Sequence, residues 1–308
     1  MDTSVASMVV TAVLKLGVMG VVGFVAAKLG CLNEQRTSAV SKVLADIILP
    51  MLLLNSFLTK YDASRNAGYF YVLIGAVVLN LLVMVPATLV FPKKNNPQWA
   101  TDRNSAIISN AGFVGIPLFT MMGLNDSIFY LSAYVMIANV LLWTYTVLCY
   151  KEEFSKSSII SLFKSPTIIA IFVGLIIYFG KIPVPALISG PVASMGAACG
   201  PIAMFVTGAI LARTDIIGVM KRFNGWLAIA MKLVLQPLLA ILFCKLFPSS
   251  DSAMFCLVIA AGCPVLTLCP VLAMQYGKDE KYAAGVLCLS MLLCMATIPV
   301  MAAIYAMF

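Results

Sequence analysis

The sequence predicts an all-α membrane protein: ten transmembrane helices in two inverted five-helix repeats, with the fourth and ninth helices broken. Three observations predict it. Of 308 residues, 62% are hydrophobic and only 10% charged, with a mean hydropathy of +1.03. A soluble domain carries about a quarter charged residues. The apolar residues also fall in runs of roughly twenty, the length a helix needs to cross a bilayer. Lastly, proline and glycine landmarks recur at about half the chain length.

The apolar segments lie at roughly 8–30, 38–59, 69–91, 104–123, 127–150, 166–180, 188–212, 224–247, 253–276 and 282–307. The first continues through Leu29 with no basic stretch before it, so it reads as a retained helix and not a signal peptide. Polar residues Cys31 to Thr37 separate it from the second. Lys93, Lys94, Asn95, Asn96 and Pro97 form the loop after the third. The polar stretch Lys151 to Ser158 stands at the chain midpoint. It divides a first repeat, 1–154, from a second, 155–308, which together make one transmembrane domain.

Lys and Arg set the orientation. With the N-terminus outside, the inward connections carry fourteen basic residues and the outward ones four. The positive-inside rule then predicts both termini outside the cytoplasmic membrane. The net charge of +8 is dispersed among these connections, a membrane-orientation pattern and not a nucleic-acid surface.

The halves resemble each other. Pro50 and Pro201 lie 151 residues apart, Pro117 and Pro270 lie 153 apart, and Gly123 and Gly277 lie 154 apart. Five helices per repeat is an odd number, so the second repeat must be inverted. Inverted repeats are a carrier architecture, because exchanging conformations between the halves gives alternating access.

Composition also excludes chemistries. There is no histidine for general-base work or for a His-containing metal site. The nine cysteines include no CxxC pair and read as small buried hydrophobes. No phosphate loop appears. The expectation is a non-enzymatic protein without metal or cofactor.

The fourth segment reads Ser109-Asn110-Ala111-Gly112-Phe113-Val114-Gly115-Ile116-Pro117-Leu118, and the ninth contains Gly262-Cys263-Pro264-Val265-Leu266-Thr267-Leu268-Cys269-Pro270. Glycines, prolines and an asparagine in mid-membrane disfavour a continuous helix. The two prolines of the ninth segment are expected to strain it. Unwound backbone at that depth is tolerated only where protein or water surrounds it. It then offers free N–H and C=O groups, and half-helix N-termini carry partial positive charge. Matched breaks are the sequence pointer to a binding site. The candidate substrate contacts are Asn110, Gly112, Gly115, Pro117, Pro264, Thr267, Leu268 and Pro270, with Asn139 of the fifth segment beside them.

The run Asn110 to Pro117 with Leu118 resembles the fourth-helix motif of the auxin efflux carrier family. Pro264 through Ala273-Met274-Gln275-Tyr276-Gly277, then Ile298-Pro299, resemble its ninth and tenth helices. The resemblance covers nearly the whole chain. It implies that helices four and nine cross at the centre, that a scaffold moves against a transport domain, and that a small organic anion, auxin-like or dicarboxylate such as malate, is carried. It also implies a homodimer. The chain departs from relatives at Leu268, where an asparagine is usual, at Met274, where an acid is common, and in having Pro270.

Other intramembrane polar residues are candidates for coupling or charge sensing. Lys232 and Gln236 share a face of the eighth helix, and a lysine at that depth costs about 2.5–3.5 kcal/mol on insertion scales. Lys15 can snorkel toward an interface. Asp46 carries a proton or pairs with Lys42 four residues earlier. Asn55, Asn80 and Thr207 read as interhelical hydrogen-bonding groups. A proton or sodium ion could be coupled. Two rival readings stay open: a sodium-coupled symporter similar to the bile-acid type, and a non-transporting sensor on the same fold.

Overall fold

The computed structural model describes residues 3–94, 96–124, 126–153 and 156–307. Asn95 of the basic loop, and the repeat division at Phe154 and Ser155, lie outside the described residues. The described residues are helical throughout, with no strand and one isolated antiparallel bridge. Seven helices are long and apolar enough to cross a membrane, and three shorter apolar ones accompany them.

In chain order the elements are α1 (Thr3–Lys28), α2 (Glu34–Phe57), α3 (Ser64–Val90), α4 (Trp99–Ile107), α5 (Ala111–Met121), α6 (Ser127–Lys151) and α7 (Lys156–Lys164). Then follow α8 (Pro166–Phe179), α9 (Ala186–Leu211), α10 (Ile217–Met220), α11 (Phe223–Leu246), α12 (Asp251–Gly262), α13 (Cys269–Gln275) and α14 (Glu280–Ala306). The fourth apolar segment is the pair α4 and α5, and the ninth is the pair α12 and α13. Eight of the nine cysteines are buried and unpaired, and Cys31 is exposed.

Packing sorts the helices. α1 lies on α9 and also on α14, and α2 lies on α8 and α9. Elsewhere α3, α4, α6, α11, α12 and α14 pack on one another. The half-helix α5 touches both sets, meeting α1 and α9 on one side and α6 and α12 on the other. The α1–α9 contact is close: a Cβ on Gly208 would stand 1.8 Å from the Gly20 carbonyl oxygen, and one on Gly23 would stand 2.0 Å from that of Phe205. Small residues that let backbones touch are the usual means of helix association in lipid.

At one end an aromatic cluster bridges the two sets. Phe129 of α6 has its ring centroid 5.3 Å from Phe57 of α2, 5.1 Å from Tyr69 of α3 and 4.9 Å from Tyr178 of α8. The Arg65 guanidinium sits 4.6 Å over the Phe129 ring. Aromatic pairs add about 0.5–1.5 kcal/mol each beyond burial.

At the opposite end Glu152 follows α6 in the left-handed region, at φ 63. It ties three loops together: Lys93 Nζ stands 2.5 Å from one carboxylate oxygen and Lys278 Nζ 2.6 Å from the other. The hydrogen bond from Lys278, then that from Lys93, holds its carboxyl down at about 2, against an ordinary 4.5. A depressed carboxyl contributes stability above its unfolded pKa and loses it as pH falls through the folded one. Glu152→Gln therefore lowers the unfolding temperature by a constant amount from pH 5 to 8. The gap to the parent closes as pH drops from about 4.5 toward about 2; thermal melts of both proteins across that range check it.

Four helical stretches widen into single π turns: Leu44–Ile48 in α2, Ala111–Gly115 in α5, Leu142–Thr146 in α6 and Met231–Leu235 in α11. Three have a local cause. Pro50, Pro117 and Pro237 each lie just past the turn, and each ring displaces the carbonyl four residues back, at Asp46, Phe113 and Leu233. Nothing in the structure explains the one in α6, and Pro86 and Pro299 sit inside helices without producing any.

The π turn in α2 corrects one expectation. Lys42 and Asp46 are both exposed, and no ion pair joins them. An i,i+4 pair needs α spacing, and the wide turn rotates Asp46 off the Lys42 face.

The crossing of two broken helices

α4 ends at Ile107, whose successor Ile108 is extended (φ −93, ψ 124). α12 ends at Gly262, and Cys263 is extended too (φ −65, ψ 149). The two extended segments meet as the antiparallel bridge Ser109–Val265. The Asn110 amide donates to the Pro264 carbonyl at 2.8 Å, and the Val265 amide donates to Ser290 Oγ of α14 at 3.1 Å. The first break thus satisfies a carbonyl of the second, and α14 satisfies the second break's Val265 amide. Pro264 suits its place because it has no N–H to leave orphaned.

This corrects the expectation that two prolines strain a ninth helix. Pro264 lies in the extended segment, and Pro270 stands in the first turn of α13, where proline is tolerated. Neither interrupts a helix. The second half-helices close alike. Gly123 after α5 (φ 73) and Gly277 after α13 (φ 66) take a left-handed conformation that favours glycine. Leu124 N–H bonds Phe119 O at 2.9 Å, and Lys278 N–H bonds Ala273 O at 2.7 Å, the same Schellman closure.

Across the crossing, Asn110 Nδ2 donates to Thr267 Oγ1 at 2.6 Å. Asn110 is only 2% exposed. Gly112 and Gly115 are places of close packing: a Cβ there would come within 3.4 Å of Leu49 Cδ2 and 3.3 Å of Cys263 Sγ. Pro117 and Pro264 are buried, while Thr267, Leu268 and Pro270 are half-buried.

Beside Asn110, Ser109 faces a buried polar network. Lys232 of α11, 0% exposed, donates to Ser109 Oγ and to Gln236 Oε1. The Gln236 amide donates to the Ile107 carbonyl at 3.1 Å, to Asn80 Oδ1 at 3.3 Å and to Tyr134 OH at 3.4 Å. Ser109 Oγ also lies 3.3 Å from Tyr134 OH and 3.4 Å from the Ala261 carbonyl.

The structure thus brings Asn110, Pro264 and Thr267 together, with Lys232 and Gln236 directly behind. It leaves three candidates apart. Asn139 turns back onto its own helix, donating to Val135 O at 2.9 Å. Asp46 and Lys15 are exposed on α2 and α1. Of the groups expected to bond between helices, Asn80 does so through Gln236, whereas no side-chain hydrogen bond is found for Asn55 or Thr207. Sequence reasoning missed Ser109, Tyr134 and Ser290, single hydroxyls with no pattern around them. It also missed Pro237, whose position five residues after Lys232 was a usable signal.

An all-helical chain with several membrane-length apolar helices and backbone broken and re-paired at their centre is a multi-pass membrane protein of the transporter class. The sequence profile described as "Membrane transport protein" matches residues 8–157 and 151–302. The chain therefore belongs to that family, the auxin efflux carriers, a transporter family and not an enzymatic one. No curated protein sequence matches the chain.

Proposed function

We propose that the protein is a secondary carrier of the cytoplasmic membrane, moving a small organic anion by alternating access at the crossing. The observation that carries the reading is the bridge at Ser109–Val265, with α5 starting at Ala111 just past it and α13 at Cys269 after an intervening turn. Helix N-termini favour negative charge. Asn110 and Thr267 supply hydrogen-bonding groups beside them. With Asn110 almost fully covered, this conformation is occluded, intermediate between two open states.

Two inverted five-helix repeats, 1–154 and 155–308, account for the matched glycine closures. The fourteen-to-four distribution of basic residues supports both termini lying outside. The set α1, α2, α8 and α9 is the scaffold in this reading, and the remaining helices move against it in an elevator-like step. A homodimer through the scaffold completes the assembly.

The test is direct. Purified protein is screened by thermal shift against a panel of mono- and dicarboxylic acids, and the best hit is followed by flux in proteoliposomes. Saturable uptake of an organic acid is expected. Binding without flux would make the protein a sensor and overturn the carrier reading.

A further inference from the structure

The junction of the two repeats carries a helix too short to span a bilayer. α7 (Lys156–Lys164) has nine residues, about 14 Å at 1.5 Å per residue, less than half the thickness of a hydrocarbon core. Ser165 after it is extended (φ −63, ψ 122), and Pro166 begins α8. The chain therefore turns between the two helices.

One side of α7 is covered by protein. It packs on the π turn Leu142–Thr146 of α6 and on α8. The other side is open. Ile160 is 53% exposed and Phe163 63% exposed, and three residues apart they share one face of the helix. Lys164, next to Phe163, is exposed as well, as is Lys151 at the end of α6.

Glu152 fixes the end of the molecule on which α7 lies. It pairs with Lys93 past the end of α3 and with Lys278 past the end of α13. All three residues stand outside the apolar spans, so α7 starts near the level of the lipid headgroups. The charge there is mostly basic. Glu152 is engaged by two lysines, and Glu153 is the other acid of the stretch. Lys94, Lys151 and Lys164 are exposed, and no ion pair is seen for them among the described residues.

Two occupants could cover such a face. A second copy docked about a two-fold axis would set the same patch against itself, so lysine would meet lysine. An acidic leaflet has the complementary charge. A helix with apolar residues on its open face and lysines beside them lies in the interface plane, its apolar side chains among the acyl chains and its ammonium groups at the headgroups.

We propose that α7 is a membrane-surface helix that recognises anionic phospholipid. Ile160 and Phe163 enter the leaflet, and Lys164 and Lys151 hold the phosphates of acidic headgroups. Because α7 touches both α6 and α8, lipid bound here pins the junction of the repeats to the leaflet. Nothing in this depends on what the protein carries, or on its carrying anything.

The experiment places a fluorophore on the open face. Cys31, the one exposed cysteine, is replaced by serine, and Phe163→Cys is coupled to bimane in the full-length protein. Quenching is read in vesicles of phosphatidylcholine and phosphatidylglycerol at equal mole fraction, with brominated chains on one lipid or the other. Lys94→Cys, in the exposed basic loop, carries the reference label. Brominated lipid is expected to quench the label at 163 far more than the one at 94, and brominated phosphatidylglycerol more than brominated phosphatidylcholine. Lys164→Gln and Lys151→Gln, both at exposed positions that leave the fold intact, each lower that preference by up to about 5-fold, the worth of one lysine at an anionic surface. High salt lowers the preference and leaves the quenching itself, because it screens charge and not apolar contact. A label at 163 quenched no more than the one at 94 overturns the proposal, since the face then stands in water or against protein. Equal quenching by the two lipids overturns recognition of anionic lipid, and so does a preference that survives in the Lys151→Gln/Lys164→Gln protein.

Discussion

Asn110→Ala abolishes saturable organic-acid uptake in proteoliposomes while the protein still purifies as a monodisperse species. Its side chain makes the one hydrogen bond between side chains seen across the two breaks, at 2.6 Å from Thr267 Oγ1. Truncation removes both donor and acceptor from the start of α5 and leaves the Thr267 hydroxyl without that partner. A hydrogen bond to a charged group is worth about 1.5–3 kcal/mol. Affinity should therefore fall about 10- to 100-fold on that account alone, before any loss of geometry. The backbone bridge through Asn110 N–H and Pro264 O does not need the side chain, so the fold survives. Flux measured over a wide range of acid concentration decides it. Parent-like KM and maximal rate would remove Asn110 from the site.

Gly208→Val collapses the protein's thermal stability, and Gly190→Val at an open position barely changes it. A Cβ at Gly208 would be 1.8 Å from a backbone carbonyl oxygen of α1, whereas nothing lies within 4 Å of one at Gly190. Backbone cannot yield as a flexible side-chain end can. Overpacking costs typically about 1–3 kcal/mol, with larger values where no relaxation is open; this position belongs at the upper end. Unfolding followed in detergent for the two variants and the parent measures the difference. Equal melting temperatures would show that α1 and α9 can separate freely.

Much of the fold was legible because lipid imposes a length. Every apolar segment read from the sequence corresponds to a helix or to a broken pair of half-helices. The breaks were legible because proline and glycine act locally. What was hidden was anything depending on three-dimensional pairing. Ser109, Asn80 and Tyr134 lie on separate elements, and only packing brings them around Lys232 and Gln236. The misassigned Lys42–Asp46 pair has the same lesson at shorter range: α-helical spacing was assumed across a stretch that Pro50 had opened into a π turn. The lysine itself was visible as a charge in an apolar helix. Its position behind Asn110 was not, because nothing in the local pattern says which way α11 faces.

The π turns also bear on how such a molecule could move. A π turn holds one residue more than the helix around it, so it is a dislocation and not a break. Sliding it one position along the chain exchanges neighbouring hydrogen bonds rather than losing them. Each residue it passes swings by about 100°, one step of an α-helix. In α11 the dislocation contains Lys232 itself. One step toward either end would carry the ammonium away from Ser109 while leaving both ends of the helix in place. The helix would then add a local slip of its own to the elevator-like step of the helices as a set.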